Sequence, residues 1–221
     1  MNEAQARDEI CRVGKSLFDR GYVHATAGNI SVRLDDGFLI TPTDACLGFL
    51  APDTLAKVDA SGRQLGGDPA SKTLVLHRRI YAAHAAAGAA VPLCVLHTHS
   101  THCVALTLGD PAGELLPPIT PYFVMKVGRV PIVPYHRPGA PEAAETVAAL
   151  VARYAAQGTP LRAVMLTRLG PNVWHDSPAQ AMAVLEELEE TAKLWLLAQP
   201  KPQPLDAQAL AQLRIAFGAR W

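Results

Sequence analysis

The spacing of hydrophobic residues predicts an amphipathic helix at the start of the chain. Ile10, Val13 and Leu17 recur at intervals of three or four residues within 3–20, so they share one helical face. Gly21 follows, and glycine commonly ends helices because it accepts a left-handed backbone conformation. The first element is therefore a helix that packs one face against the rest of the protein.

Short hydrophobic runs separated by turn residues predict strands. Residues 30–34 and 37–40 flank an Asp-Asp-Gly turn, which is a strong signal for a hairpin of two antiparallel strands. Similar runs predict further strands at 55–58, 93–97, 130–134, 163–167 and 172–174.

Longer segments with helical spacing lie between these strands. Ser71 is a good N-cap for the first of them, because its hydroxyl can accept a hydrogen bond from a backbone N–H in the first turn. The predicted helices cover residues 72–87, 100–109, 141–157 and 178–197, and a short helix follows the proline-rich stretch 200–204. Helices that alternate with short, partly hairpin-linked strands predict an α/β fold, with a mixed or antiparallel sheet covered on both faces.

Length and charge narrow the class of protein. A chain of 221 residues fits a single domain, residues 1–221, with 200–221 as a C-terminal tail. Lys and Arg total 20 and so do Asp and Glu, which argues against nucleic-acid and membrane-surface partners and makes self-association easier. The N-terminus does not resemble a signal peptide, no apolar run reaches membrane-spanning length, and the four cysteines lack Cys-x-x-Cys spacing, so we expect a cytoplasmic protein with reduced cysteines.

Candidate chemistry begins at His97-Thr98-His99, directly after a buried strand. Side chains alternate along a strand, so His97 and His99 point the same way, about 7 Å apart, and can share a metal ion. The alternative is a pair of hydrogen-bonded histidines at a strand end. Two histidines do not complete a zinc site, so the motif alone leaves both interpretations open.

Several motifs, taken in order, resemble the class II aldolase/adducin family. They are AGNIS at 27–31, ITPT at 40–43, SK at 71–72 before a helix, HTH at 97–99 and EELE at 186–189 in the last long helix. Within that family, DACLG at 44–48, PPITPY at 117–122 and the helix sequence at 185–193 most resemble the branch that decarboxylates 3-oxo-tetronate 4-phosphates.

The resemblance implies a fold, an assembly and a reaction. It implies a three-layer α/β/α fold with a nine-stranded, mostly antiparallel sheet, and a homotetramer with active sites between subunits. It also implies a divalent metal, normally zinc held by three histidines, and a nearby glutamate that acts as acid and base. The implied reaction removes CO2 from a 3-oxo sugar-acid phosphate and leaves dihydroxyacetone phosphate.

The resemblance also assigns candidate roles to particular residues. Tyr122 matches a tyrosine that reaches a neighbouring subunit's site and can protonate the intermediate, although an interface aromatic is an equal interpretation. The phosphate would be bound near turns and a helix start by Gly28, Asn29, Thr43, Asp44, Ser71 and Lys72. Taken singly, these are also ordinary turn, capping or solvated residues.

Two positions depart from the family pattern. Leu169 occupies the place of the third metal histidine, and Thr73 that of the catalytic glutamate. Three hypotheses follow: a lyase whose metal is completed by another group, such as His102, His136 or His175 of this or a neighbouring subunit, a repurposed enzyme of the same fold, or a non-catalytic binding or assembly module. The histidine pair and the phosphate-binding candidates favour an enzyme, whereas Leu169 and Thr73 favour a non-catalytic member.

Overall fold

Eight strands form one sheet in the computed structural model, which describes residues 1–221. The sheet order is β4-β3-β2-β1-β5-β8-β7-β6, and every neighbouring pair is antiparallel except β6 with β7. The strands are β1 Asn29–Arg33, β2 Gly37–Ile40, β3 Ala56–Asp59, β4 Gln64–Gly66, β5 Cys94–His97, β6 Ile132–Val133, β7 Ala163–Leu166 and β8 Gly170–His175.

Five of the six α-helices cover the two faces of this sheet, as predicted, and the last, α6, has no buried residue. One hydrophobic cluster joins the strands to α1, α3 and α5, and a second joins them to α2 and α4 on the opposite face. The helices are α1 Glu3–Asp19, α2 Leu74–Ala86, α3 Thr101–Ala105, α4 Pro141–Ala156, α5 Pro178–Leu197 and α6 Ala207–Phe217, with a 3₁₀ turn at Leu47–Phe49 and a π-helical turn at Phe123–Val127.

The first helix forms where the hydrophobic spacing predicted it. Ile10, Val13 and Leu17 are fully buried, so the predicted face is the one that packs on the sheet. At its start, Asn2 and Gln5 exchange side-chain and backbone hydrogen bonds in a capping box, which satisfies N–H groups that lack helical partners.

The sheet has one strand fewer than the nine that the resemblance implied. Residues 113–115 run beside β6 but form only a single bridge, between Glu114 and Pro131. Proline has no backbone N–H, and Pro111, Pro117 and Pro118 flank this segment, so a longer ladder cannot form there.

One predicted helix start and one predicted helix end were wrong. Ser71 does not cap α2; the helix begins at Leu74, and the Ser71 hydroxyl instead lies 2.8 Å from the hydroxyl of Thr73. The helix expected to reach Gly109 ends at Ala105, after which the chain continues in turns. None of the helices combines the length and the hydrophobicity needed to cross a membrane.

Candidate active site

The two histidines lie together at the end of β5, as predicted. Their ring centroids are 5.2 Å apart and their planes are tilted by 65°. His97 is buried, whereas His99 is exposed. One imidazole is therefore fixed in the protein interior, while the other faces the surface beside it.

The hydrogen bonds of His97 determine which of its nitrogens is free. Its Nδ1 lies 2.9 Å from the carbonyl oxygen of Pro171, which can only accept, so Nδ1 carries the proton and donates. Burial, together with His99, lowers the pKa of His97 to about 4. At neutral pH the ring is uncharged, and its Nε2 presents a lone pair, as in histidines that bind a metal.

Three polar side chains lie in a row across neighbouring strands at this point. Asn29 of β1 and Asn172 of β8 both pair directly with His97 in the sheet register, so all three project from the same face. The side-chain oxygens of both asparagines are buried without a hydrogen-bond partner. Buried polar atoms are normally satisfied, so these two oxygens mark a place where a bound group is expected.

His77 lies under this row, which the sequence did not reveal. Its Nδ1 is 2.8 Å from the Ser31 hydroxyl, and its Nε2 has no partner. Burial lowers the pKa of His77 to about 3, with a smaller effect from His97. The helical spacing correctly indicated that His77 faces the core; its proximity to His97 arises from contacts between α2 and the sheet, which no local pattern encodes.

Gly28 brings the preceding loop against the histidine strand. Its φ of +89° is a conformation that glycine tolerates best, and a Cβ there would lie 2.8 Å from the His97 carbonyl oxygen. The close approach at Gly28 is therefore to the backbone of β5, and its role in phosphate binding stays a prediction.

A second group of polar side chains surrounds the start of α2. The Thr43 hydroxyl donates to the carbonyl of Ala70 at 2.9 Å, which places it beside the paired hydroxyls of Ser71 and Thr73. Lys72 is exposed and forms no ion pair. Because Ala70 already accepts the Thr43 proton, the group offers a phosphate the remaining hydroxyl proton of the Ser71–Thr73 pair and one cation.

Two other candidate residues remain at the surface of the chain. Asp44 is exposed and has a φ of +55°, in the left-handed region, at the turn after Thr43. Tyr122 is 61% exposed and directly precedes the π-helical turn. Neither makes a side-chain hydrogen bond within the chain, so both are free to meet a ligand or a neighbouring subunit.

The donor set for a metal is incomplete within one chain. His97 and His99 fit two coordination positions, but Leu169 packs against the hydrophobic cluster under α2 and α4. No group of three or more His, Cys, Asp or Glu side chains is arranged to hold a metal ion. Zinc sites use at least three protein ligands, so the pair alone gives a weak site.

One of the proposed substitutes for the third ligand lies away from the histidine pair within the chain. His175 pairs with Cys94, at the opposite end of β5 from His97. The Nδ1 of His102 donates to Glu189 at 2.8 Å, and His136 lies in the loop after β6. The hypothesis that His175 of the same subunit completes the site is therefore wrong.

Comparison with known proteins gives a family match over most of the chain. The class II aldolase and adducin N-terminal domain model matches residues 8–196. The chain is 54% identical to a 3-oxo-tetronate 4-phosphate decarboxylase of Cupriavidus necator, over 99% of both chains.

Solved structures agree with this match. The chain resembles YgbL of Klebsiella pneumoniae, a putative aldolase/epimerase/decarboxylase, with a TM-score of 0.85, 38% identity and coverage of 97% of this chain and 100% of that one. An L-fuculose 1-phosphate aldolase shares the fold with a TM-score of 0.81 at 22% identity, covering 99% and 98% of the two chains.

Proposed function

Since the chain belongs to the class II aldolase and adducin family, we propose that it decarboxylates a 3-oxo-tetronate 4-phosphate to dihydroxyacetone phosphate and CO2. Its relatives are decarboxylases and aldolases, and the chain is a carbon–carbon lyase. The main support for this substrate is the 54% identity, along 99% of the chain, to a decarboxylase named for it.

The phosphate binds at the start of α2. Thr43 and Ser71 place hydroxyl groups near this position, and Lys72, next to Ser71 in the chain, is exposed and forms no ion pair. Charge-assisted hydrogen bonds to a phosphate are about twice as strong as neutral ones, so Lys72 contributes most. The unpartnered side-chain oxygen of Asn29 accepts a hydrogen bond from a hydroxyl group of the substrate, next to His97.

Decarboxylation breaks the bond between the carboxylate carbon and C2. The electron pair moves into the C3 carbonyl and forms an enediolate, and one proton at C2 then completes dihydroxyacetone phosphate. His97 and His99 would hold a divalent metal, which would supply Lewis acidity to the reaction. Because Nδ1 of His97 is held by Pro171, the ring keeps its Nε2 lone pair directed away from that contact.

Thr73 in place of a glutamate is compatible with this reaction. Loss of CO2 from a carboxylate needs no base, whereas cleavage of an aldol requires removal of a hydroxyl proton. The one proton needed, at C2, comes from Tyr122 of a neighbouring subunit in a homotetramer. The exposure of the Tyr122 side chain, at 61%, supports this arrangement.

The test is a decarboxylation assay with a lysine variant. The purified chain is mixed with 3-oxo-tetronate 4-phosphate, and dihydroxyacetone phosphate is measured by its coupled reduction with NADH. We expect Lys72→Met to raise KM about tenfold, with a smaller effect on kcat, since one charge-assisted contact to the phosphate is lost. Lys193→Met, on the exposed side of α5, is the matched control and should leave both constants unchanged.

A second function is favoured by Leu169 and Thr73 together. A chain that lacks the family's third metal histidine and its catalytic glutamate can serve as a non-catalytic binding or assembly module of the same fold. That function predicts binding of the sugar-acid phosphate without release of dihydroxyacetone phosphate or CO2. Product formation at a rate that depends on Lys72 would exclude the non-catalytic function. Binding of the sugar-acid phosphate without turnover would instead exclude the decarboxylase and support the non-catalytic function.

A further inference from the structure

A separate cavity of about 450 Å³ lies at the other end of the sheet. Its walls include Trp174 and His175 of β8, and His175 pairs with Cys94, at the end of β5 remote from His97. Cys94 and His97 are three positions apart along β5, a distance of about 10 Å. None of the candidate active-site residues lines this cavity.

Two arginines line the cavity and neither has a carboxylate partner. Arg162 follows α4, and Arg220 is carried there by the C-terminal tail. No ion pair of the chain involves either side chain, although one guanidinium nitrogen of Arg162 donates to the backbone carbonyls of Met125 at 2.8 Å and Lys126 at 3.0 Å. Burial, and then the charge of Arg220, lower the pKa of Arg162. Asp176 offsets part of this effect on Arg162, and an anion between the two guanidinium groups would be stabilised by both.

A buried histidine in the same wall has no partner either. His84 of α2 is 4% exposed, and neither of its ring nitrogens has a hydrogen-bond partner. Burial lowers the pKa of His84; the backbone of Ala90 partly opposes this shift without meeting hydrogen-bond geometry. The ring packs edge-on against Trp174, with centroids 5.6 Å apart. A neutral imidazole always carries one N–H, so an unused donor is buried in the cavity wall.

We infer that this cavity is a binding site for a small organic anion, whose phosphate or carboxylate group contacts Arg162 and Arg220 beside the His84 wall. The guanidinium groups present planar sets of donors that match such oxyanions. The one carboxylate in the lining, Asp176, leaves the arginine pair with an excess of positive charge.

The rest of the cavity favours a ligand with an apolar portion. Its volume falls within the usual range for small-molecule sites, which combine mostly apolar walls with a few polar groups. The apolar side of the lining is formed by Val124, Val127, Leu161, Trp174 and Phe217.

The test follows the histidine resonances during a titration with inorganic phosphate. Histidines labelled with ¹³C at Cε1 report His84 and His175 in the cavity, while His97 and His99 report the candidate active site separately. Arg220→Glu is the informative variant, because this exposed side chain makes no hydrogen bond or ion pair whose loss would harm folding. Arg214→Glu, which is also exposed and lies on α6 outside the cavity, is the control with the same charge change.

We expect saturable shifts of the His84 and His175 resonances in the wild type and in Arg214→Glu. In Arg220→Glu the affinity measured from these two resonances should fall at least about tenfold, with the response of His99 unchanged. The inference fails if the cavity resonances do not move at about 50 mM phosphate. It also fails if Arg220→Glu and Arg214→Glu behave alike. Because His99 is recorded in the same spectra, failure at the active site is distinguishable from failure at the cavity.

Discussion

Leu169 shows how one side chain can decide the chemistry of a site whose other parts are in place. His97 is buried and oriented by the Pro171 carbonyl, which is how proteins prepare a histidine to bind a metal. The turn that carries Leu169 is tightly fixed, because a Cβ on the neighbouring Gly170 would lie 2.0 Å from the Thr98 carbonyl oxygen. The backbone therefore holds position 169 close to the histidine strand, but leucine offers no donor atom.

At this scale we predict that Leu169→His strengthens zinc binding. A third imidazole on a fixed backbone brings the donor set to the minimum for zinc. We expect the affinity to rise at least about tenfold, because even partners that only orient a ligand change metal affinity by about 10–100-fold. Zinc bound per chain after dialysis, measured by inductively coupled plasma mass spectrometry, gives the result independently of activity.

Leu169→Gln is the matched control for that measurement. It introduces a polar side chain of similar size without an imidazole, so it should leave the zinc content near that of the wild type. Equal zinc content in Leu169→His and Leu169→Gln would show that the backbone does not direct position 169 towards the histidine pair.

Between elements, a single carboxylate ties α5 to the short helix α3. Glu189 accepts through Oε1 from the backbone N–H of His102 at 2.9 Å and from its Nδ1 at 2.8 Å, and through Oε2 from the N–H of Cys103 at 3.0 Å. The first N–H groups of a helix have no helical partner, and α3 has only five residues. The contact between elements therefore supplies stability that the short helix cannot supply itself.

We predict that Glu189→Gln lowers the free energy of unfolding by about 2 kcal/mol. The amide keeps one acceptor oxygen but loses the charge and the second acceptor, so charge-assisted bonds of about 1.5–3 kcal/mol are weakened or lost at a buried position. Urea unfolding monitored by circular dichroism measures the difference. Glu190→Gln, on the exposed side of the same helix, should change the value by less than about 0.5 kcal/mol, and equal losses in the two variants would contradict the role of Glu189.

The predictability of each element depended on its length. The long helices α1, α4 and α5 were predicted to within a few residues, since many hydrophobic positions repeat along each. Strand β4, Gln64–Gly66, was missed because it is short and wholly exposed, so it has no hydrophobic alternation to detect. The π-helical turn at Phe123–Val127 was missed because its burial depends on contacts with the distant helices α5 and α6.

In the molecule as a whole, the sequence suggested candidate site residues but not which residues lie beside them. His97 and His99 follow from their alternation at a strand end, and Leu169 and Thr73 stand out against the family motifs. The contacts of His97 with Asn172 and Pro171 depend on the pairing of β5 with β8, elements about 75 residues apart in the chain. Such pairings are set by the complete core, so local spacing cannot reveal them.

His77 is one of the buried groups through which the pH should act on the whole fold, and its pKa is lowered further than that of His97. Burial lowers its pKa from 6.5 to about 3 in the folded chain. The unfolded chain therefore takes up a proton as the pH falls below about 6.5, while the folded chain does so only near pH 3. Between these values His77 favours unfolding by about 1.4 kcal/mol for each unit of pH, and above 6.5 it has no such effect.

We predict that His77→Gln reduces the pH dependence of stability between pH 6.5 and pH 4. Glutamine cannot take up this proton, so the fall in the free energy of unfolding with decreasing pH should become shallower by about 1.4 kcal/mol per pH unit, whatever the change in stability at pH 7. Urea unfolding at fixed protein concentration and at several pH values measures the slope. His136→Gln, in the loop after β6, provides the control, because that side chain is outside the core and the slope should match the wild type. A slope in His77→Gln equal to that of the wild type would mean that His77 takes up its proton in the folded chain as readily as in the unfolded one, and that its surroundings admit water.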